Sequence, residues 1–329
     1  MATNKTNRTN KSNQPANRSG RKPTNRKARE AAEAAAAKAR EEQARKDRRT
    51  QTIIGAVVVA IVVVLVAVIG FNIWKSNHPT QDAGELQDAW SKVESASPKP
   101  AGVTEKGGFL ISKDGLNKPV KGAPTVAVYM DFMCPGCGAM ERALGGTYTS
   151  LVEAGQINME IHPMNFMDRY STDEYSTRAG NAAIIIAEKD PTHLLPFITR
   201  MYAEDFQPSE TDYKPVTNEQ IKAQAVAAGV KESVAAEATA KTPKYKTWLS
   251  AMSTYTPLRQ ELWNTQGQLK GQMSTPTITV NGKYWNRNAI PTDTDQTTAF
   301  LKAIGLDASS VGKAGKMPSV GTDKGPLYP

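Results

Sequence analysis

Asp131-Phe132-Met133-Cys134-Pro135-Gly136-Cys137 holds both cysteines of a 329-residue chain. The run before it, Thr125-Val126-Ala127-Val128-Tyr129-Met130, is apolar and rich in strand formers. The residues after it, Gly138-Ala139-Met140-Glu141-Arg142-Ala143-Leu144, read as a helix. A strand that delivers Cys-x-x-Cys to a helix start is the setting in which this spacing points to redox chemistry. The first turn of a helix presents N–H groups without partners and a partial positive charge. A thiolate at Cys134 is stabilised there, so its pKa should fall. Pro135 suits the first helical position, where its missing N–H costs nothing. Cys137, one turn on, lies on the same side and can close a disulfide with Cys134.

Two other uses of the pair compete with redox exchange. Cys-x-x-Cys is half of a zinc site, but a structural zinc wants four ligands. The three histidines, His78, His162 and His193, stand at no ligand spacing to one another. A disulfide closing so short a loop constrains the unfolded chain little, which makes it a poor staple. No metal and no cofactor is expected.

The net charge of +9 is unevenly placed. Residues 1–50 carry fifteen Lys and Arg against five Asp and Glu, a net of +10, so residues 51–329 carry −1. Residues 1–28 have almost no large apolar side chain and are expected to be disordered. Residues 29–49 are rich in Ala, Glu, Lys and Arg, a helix former without an apolar face. No aromatic is interleaved with these charges, so nucleic acid is not the expected partner; anionic lipid is. Ile53 to Phe71 follows, nineteen residues without a polar or charged side chain. That length matches one bilayer crossing, and Trp74 and Lys75 stand where interfacial anchors belong. The n-region is too long for a cleaved signal peptide, so an uncleaved signal anchor over 51–74 is expected. Arg45, Lys46, Arg48 and Arg49 would hold the tail at 1–50 in the cytoplasm and place the rest outside, where disulfides persist.

Residues 75–106, with a helical patch around Glu85–Val93 and then Ser97-Pro98-Lys99-Pro100, read as an extracytoplasmic linker. The folded domain is expected over 107–306. A short edge strand at Gly108–Ser112 precedes Thr125–Phe132, and Ile157–Met164 is the next strand. Gly145-Gly146 suggests a break in the helix after the cysteines. From about 171 to 266 the pattern is helical, with Thr217 and Gln220 as a capping pair. Thr277–Val280, Asn281-Gly282 and Lys283-Tyr284-Trp285 read as a hairpin, and a helix ends near Ile304. Residues 307–329 are rich in Gly, Lys, Ser and Pro and are expected to be a flexible tail. The second chemical landmark is Thr275-Pro276, a proline at the mouth of a strand and a candidate cis peptide.

Strand, Cys-x-x-Cys helix, strand, helical block, Thr-Pro strand, Asn-Gly hairpin and terminal helix, in that order, resemble the thioredoxin superfamily. The 139 positions from Cys137 to Pro276 leave room for a helical insertion. That narrows the resemblance to the DsbA family of thiol:disulfide oxidoreductases, in the membrane-anchored form of Gram-positive and actinobacterial species. Asp131 to Cys137, His162-Pro163-Met164-Asn165-Phe166-Met167 and Pro276 to Lys283 each resemble a family motif. The resemblance implies an α/β thioredoxin-like fold, with Cys134 the exposed nucleophile and Cys137 its buried partner. It implies a cis Thr275–Pro276 peptide beside them, whose backbone pairs with a substrate strand.

The implied activity is an oxidase that introduces disulfides into secreted and cell-envelope proteins and is reoxidised by a quinone-linked membrane partner. Gly136 stands where the strongest oxidants of the family carry His, which implies a milder oxidant. Thr275 stands where those enzymes often have Val, and Thr there also occurs in disulfide isomerases, which leaves a reductase or isomerase as the alternative. A non-catalytic tethered scaffold is a third reading, and it has no need of Cys-Pro-x-Cys with Thr-Pro. Asp131 has two readings, a proton relay to Cys137 or a cap of the strand–helix turn, and the cap is favoured.

Overall fold

The computed structural model describes residues 83–329. The expected basic tail at 1–50, the expected membrane anchor at 51–74 and the first part of the expected linker lie outside the described residues. Among the described residues no helix is long and apolar enough to cross a membrane.

Helix α1 spans Ala83–Ser95. Strands β1 (Phe109–Ser112), β2 (Gly115–Leu116) and β3 (Thr125–Met130) follow. Helix α2 (Pro135–Glu153) leads to β4 (Asn158–Pro163). The helical block holds α3 (Tyr175–Lys189), α4 (Leu194–Met201), α5 (Asn218–Ala227), α6 (Glu232–Ala238) and α7 (Lys246–Tyr255). Strands β5 (Thr277–Val280) and β6 (Lys283–Tyr284) and helix α8 (Gln296–Ile304) complete the order.

The six strands lie in the order β2-β1-β4-β3-β5-β6. β3 runs parallel to β4, as a strand–helix–strand unit must, and antiparallel to β5. β3 is therefore central, and its apolar run is explained by burial on both faces. On one face Val126 and Val128 pair with Val280 and Ile278. There Val128 and Met130 meet Tyr148 of α2 and Leu195 and Ile198 of α4. On the other face Ala127 and Tyr129 pack with Met164 and Leu262. The central strand thus ends with Asp131 and the cysteines at the rim of the sheet.

The capping pair stands as the spacing predicts. The Gln220 amide donates to Thr217 Oγ1 at 3.2 Å, and the Thr217 amide donates to Gln220 Oε1 at 2.8 Å.

Four readings are corrected. Residues 83–106 are not a linker. Ala89 and Val93, one turn apart on α1, are buried, and the Trp90 ring lies tilted against Tyr255 of α7, with ring centroids 4.8 Å apart. The last residues are not a free tail either. Gln156 Nε2 donates to Ser310 O at 2.8 Å, Asn281 Nδ2 to Gly321 O at 2.9 Å, and the Leu327 amide to Ala303 O at 2.8 Å. Val320 is fully buried. Gly145-Gly146 does not break α2, which runs on to Glu153. A Cβ at 145 would fall 2.2 Å from Glu141 Oε1 and 3.3 Å from Thr199 Oγ1, so the glycine marks a close helix contact. Finally, β1 is not an edge strand, because β2 pairs outside it.

Candidate active site

The turn from β3 to α2 is built around Asp131. Its Oδ1 accepts from the Met133 amide at 2.9 Å and from Ser176 Oγ at 2.6 Å. Its Oδ2 accepts from the Met167 amide at 2.9 Å. One carboxylate thereby joins the turn to the segment after β4 and to α3. The Cys134 amide donates to Asp131 O at 3.0 Å, and the Tyr202 hydroxyl donates to the same carbonyl at 2.8 Å.

Cys134 is the N-cap of α2 and Pro135 takes the first helical position. The helix begins with the Gly138 amide on Cys134 O at 3.1 Å. Both cysteines are free thiols. Cys137 has no exposed surface, and Cys134 keeps 8%. The order of access implied by the resemblance holds, but Cys134 is reached through a small opening and does not stand proud of the surface. The reason is the strand-mouth segment above it. The Thr275–Pro276 peptide is cis, and Cys134 Sγ lies 3.4 Å from Thr275 O. Gly136 faces the same segment, and a Cβ there would lie 3.2 Å from Pro276 Cδ and 3.8 Å from Cys134 Sγ. Cys134, Cys137, Pro135, Gly136, Thr275 and Pro276 thus meet at one place, from positions 141 residues apart in the case of Cys134 and Thr275.

The two thiols are driven apart in acidity. The Cys137 side chain, hydrogen bonding to Cys134, lowers its pKa against the opposing effect of burial; Thr275 and the Cys137 amide add to the lowering. Burial pushes the Cys137 thiol well up, and its coupling to Cys134 pushes the same way. One sulfur is thereby a good leaving group and attacking thiolate, while the other holds its proton.

Sequence reasoning missed four contributors. Ser176 and Tyr202 act through hydrogen bonds to Asp131 from 45 and 71 residues away. Gln207, in the segment after α4, donates to the Cys134 carbonyl, and no sequence signal marks it. Glu141 stands four residues after Cys137 on the buried side of α2, a position helical spacing does reveal. Its Oε1 accepts from Thr199 Oγ1 at 2.7 Å.

Burial raises both carboxyls, Asp131 from 3.8 and Glu141 from 4.5, each to about 7. A folded-state pKa above the unfolded value means that the folded chain holds protons the unfolded chain has lost. The dithiol form should therefore lose stability as pH rises from about 4 to about 7, at about 1.4 kcal/mol per unit for each group. Buried His162, its pKa lowered by burial, works the other way below 6.5, but it is one group against two. Glu160, lowered to about 2 beside His162 although burial opposes it, acts only at more acid pH. Thermal melting of the reduced protein should give a lower midpoint at pH 7 than at pH 5. An equal or higher midpoint would mean that both carboxyls titrate normally.

Comparison with known proteins gives three kinds of match. A family model described as Thioredoxin matches residues 120–303, more than half of the chain. The serine/threonine-protein kinase PknE of Mycobacterium tuberculosis is 29% identical over 133 residues, 40% of this chain and 22% of the kinase. The match thus spans about a fifth of that relative's length. Among solved structures, reduced DsbA of Mycobacterium tuberculosis aligns at 24% identity over 54% of this chain and 84% of that one, with a TM-score of 0.45. MdbA of Corynebacterium matruchotii, a thiol-disulfide oxidoreductase, aligns at 22% identity over 63% and 96%, with a TM-score of 0.44.

Proposed function

The chain belongs to the thioredoxin family, and on that premise we propose that it is a thiol:disulfide oxidoreductase of the DsbA type, acting as an oxidase outside the cytoplasm. The observation that carries this reading is the placement of Cys134. It caps α2, lies beside the cis Thr275–Pro276 peptide and is backed by a fully buried Cys137. The helical block between β4 and β5 supports the DsbA type.

The oxidised enzyme carries a Cys134–Cys137 disulfide. A substrate thiolate attacks Cys134 Sγ, a mixed disulfide forms, and Cys137 leaves and takes up a proton, as its raised pKa favours. A second substrate thiolate then attacks the substrate sulfur. The substrate disulfide forms and Cys134 leaves as a thiolate, stabilised at the start of α2. The substrate has lost two electrons and the enzyme is a dithiol. A quinone-linked membrane partner accepts those electrons. Secreted and cell-envelope proteins with paired thiols are the substrates, and residues 51–74 tether the domain to the bilayer. Labelling of Cys134 on intact cells by a membrane-impermeant thiol reagent tests that orientation.

Equilibration of the full chain, in detergent micelles, against glutathione buffers decides the direction of exchange. Gly136 removes a stabilising side chain from the middle of the motif, so we expect a potential near about −180 mV rather than −120 mV. A value near about −270 mV is that of a reductant and would sink the oxidase reading in favour of the reductase or isomerase that Thr275 also suits.

A further inference from the structure

The segment after α4 reaches back to the redox turn through one side chain. Gln207 Nε2 donates to Cys134 O at 3.0 Å and to Phe132 O at 3.3 Å. Its Oε1 accepts from Arg142 Nη1 at 3.1 Å, and the same nitrogen donates to Tyr202 O at 2.8 Å. Arg142 lies on α2, on the helix that Cys134 caps. A guanidinium thus fixes and polarises an amide that in turn holds the backbone on both sides of the turn. Charge-assisted bonds of this kind are stronger than neutral ones.

The amide also packs close against the helix at Gly138. A Cβ at Gly138 would fall 1.9 Å from Gln207 Oε1, 2.7 Å from Gln207 Cδ and 2.8 Å from Arg142 Nη1. The glycine next to Cys137 leaves the room that Gln207 occupies. The Cys134 carbonyl is therefore shared between the Gly138 amide, which starts the helix, and Gln207.

We propose that Gln207, anchored by Arg142 and admitted by Gly138, is a positioning residue that holds the Cys134 backbone so that the first turn of α2 keeps its shape beneath the reactive sulfur. The proposal rests on the dithiol reading given above and adds to it a link between the helical block and the chemistry. Loss of the contact should loosen the turn and weaken stabilisation of the Cys134 thiolate.

Two variants of the full chain test this from opposite sides. Gln207→Ala deletes the amide. Gly138→Ala keeps it but evicts it, while favouring the helix by propensity. Titration of the Cys134 thiolate by its ultraviolet absorbance should show both midpoints raised by about half to one pH unit. Alkylation of Cys134 below its midpoint should slow about three- to tenfold. A merely structural role predicts no such rise in Gly138→Ala, whose helix is intrinsically better. An unchanged midpoint in Gly138→Ala overturns the proposal, and that variant carries the test if Gln207→Ala does not fold. The titration needs neither substrate nor turnover, so its failure is distinct from failure of the oxidase reading, which rests on turnover and potential.

Discussion

Cys134→Ser should abolish disulfide transfer to a reduced, unfolded protein substrate, whereas Cys137→Ser should accumulate a mixed disulfide when offered a disulfide-bonded substrate. The asymmetry follows from the placement of the two sulfurs. Cys134 keeps a small exposed surface beside Thr275 and Cys137 has none. Only Cys134 can meet an incoming sulfur, and without it no bond to substrate forms. With Cys137 replaced, the Cys134 thiolate attacks one sulfur of a substrate disulfide and the other leaves as a substrate thiolate. Once that thiol is alkylated, the mixed disulfide persists because the enzyme has no second thiol to displace it. A covalent enzyme–substrate band on a non-reducing gel, removed by reductant and present only in Cys137→Ser, is the expected record. A parent chain without turnover, and a Cys134→Ser variant that still holds its partner, would end the oxidoreductase reading and favour a scaffold that binds without chemistry.

Asp131→Ala should be the most damaging substitution outside the cysteines. The carboxylate satisfies the Met133 amide, the Met167 amide and the Ser176 hydroxyl, all in the interior. Its removal leaves three donors without partners, each costing about 1–3 kcal/mol when buried. Partial relaxation of the turn brings the expected loss to about 3–5 kcal/mol. A domain of this size should melt roughly 10 °C lower. Asp131→Asn should lose less, because one oxygen still accepts. The same variant separates the two roles of this residue. As a cap, Asp131→Asn leaves turnover per folded molecule within about threefold of the parent. As the proton donor to Cys137, it would cost about a hundredfold or more. Since three donors already occupy both oxygens, the cap outcome is expected.

What could be read from the chain alone is local in origin. The strand formers of 125–130, the proline after Cys134 and the capping pair at Thr217 and Gln220 each report on residues within one turn or one strand. Periodicity and first-turn hydrogen bonding act over that distance. Each of these stands in the structure. Local composition misleads where a distant surface decides the outcome. Ser97-Pro98-Lys99-Pro100 and the Gly- and Lys-rich terminus look like linkers. Yet α1 has an apolar pair to bury against α7, and the terminus has carbonyls and amides that Gln156 and Asn281 complete. Gly145-Gly146 looked like a helix break because the α4 surface it packs against lies about fifty residues further on.

The sequence by itself determined that a Cys-x-x-Cys pair starts a helix, that a Thr-Pro strand and a hairpin follow a helical block, and that the net charge lies in the first fifty residues. It could do so because those features are written in spacings of two to four residues. Only the tertiary structure decided that Cys134 is largely covered, that Asp131 is tied by Met167 and Ser176, and that Gln207 holds the Cys134 carbonyl. Those outcomes depend on which surfaces meet when α3 and α4 close over the turn. A donor 73 residues from its acceptor leaves no periodic trace in the chain, because its partner is chosen by packing and not by adjacency.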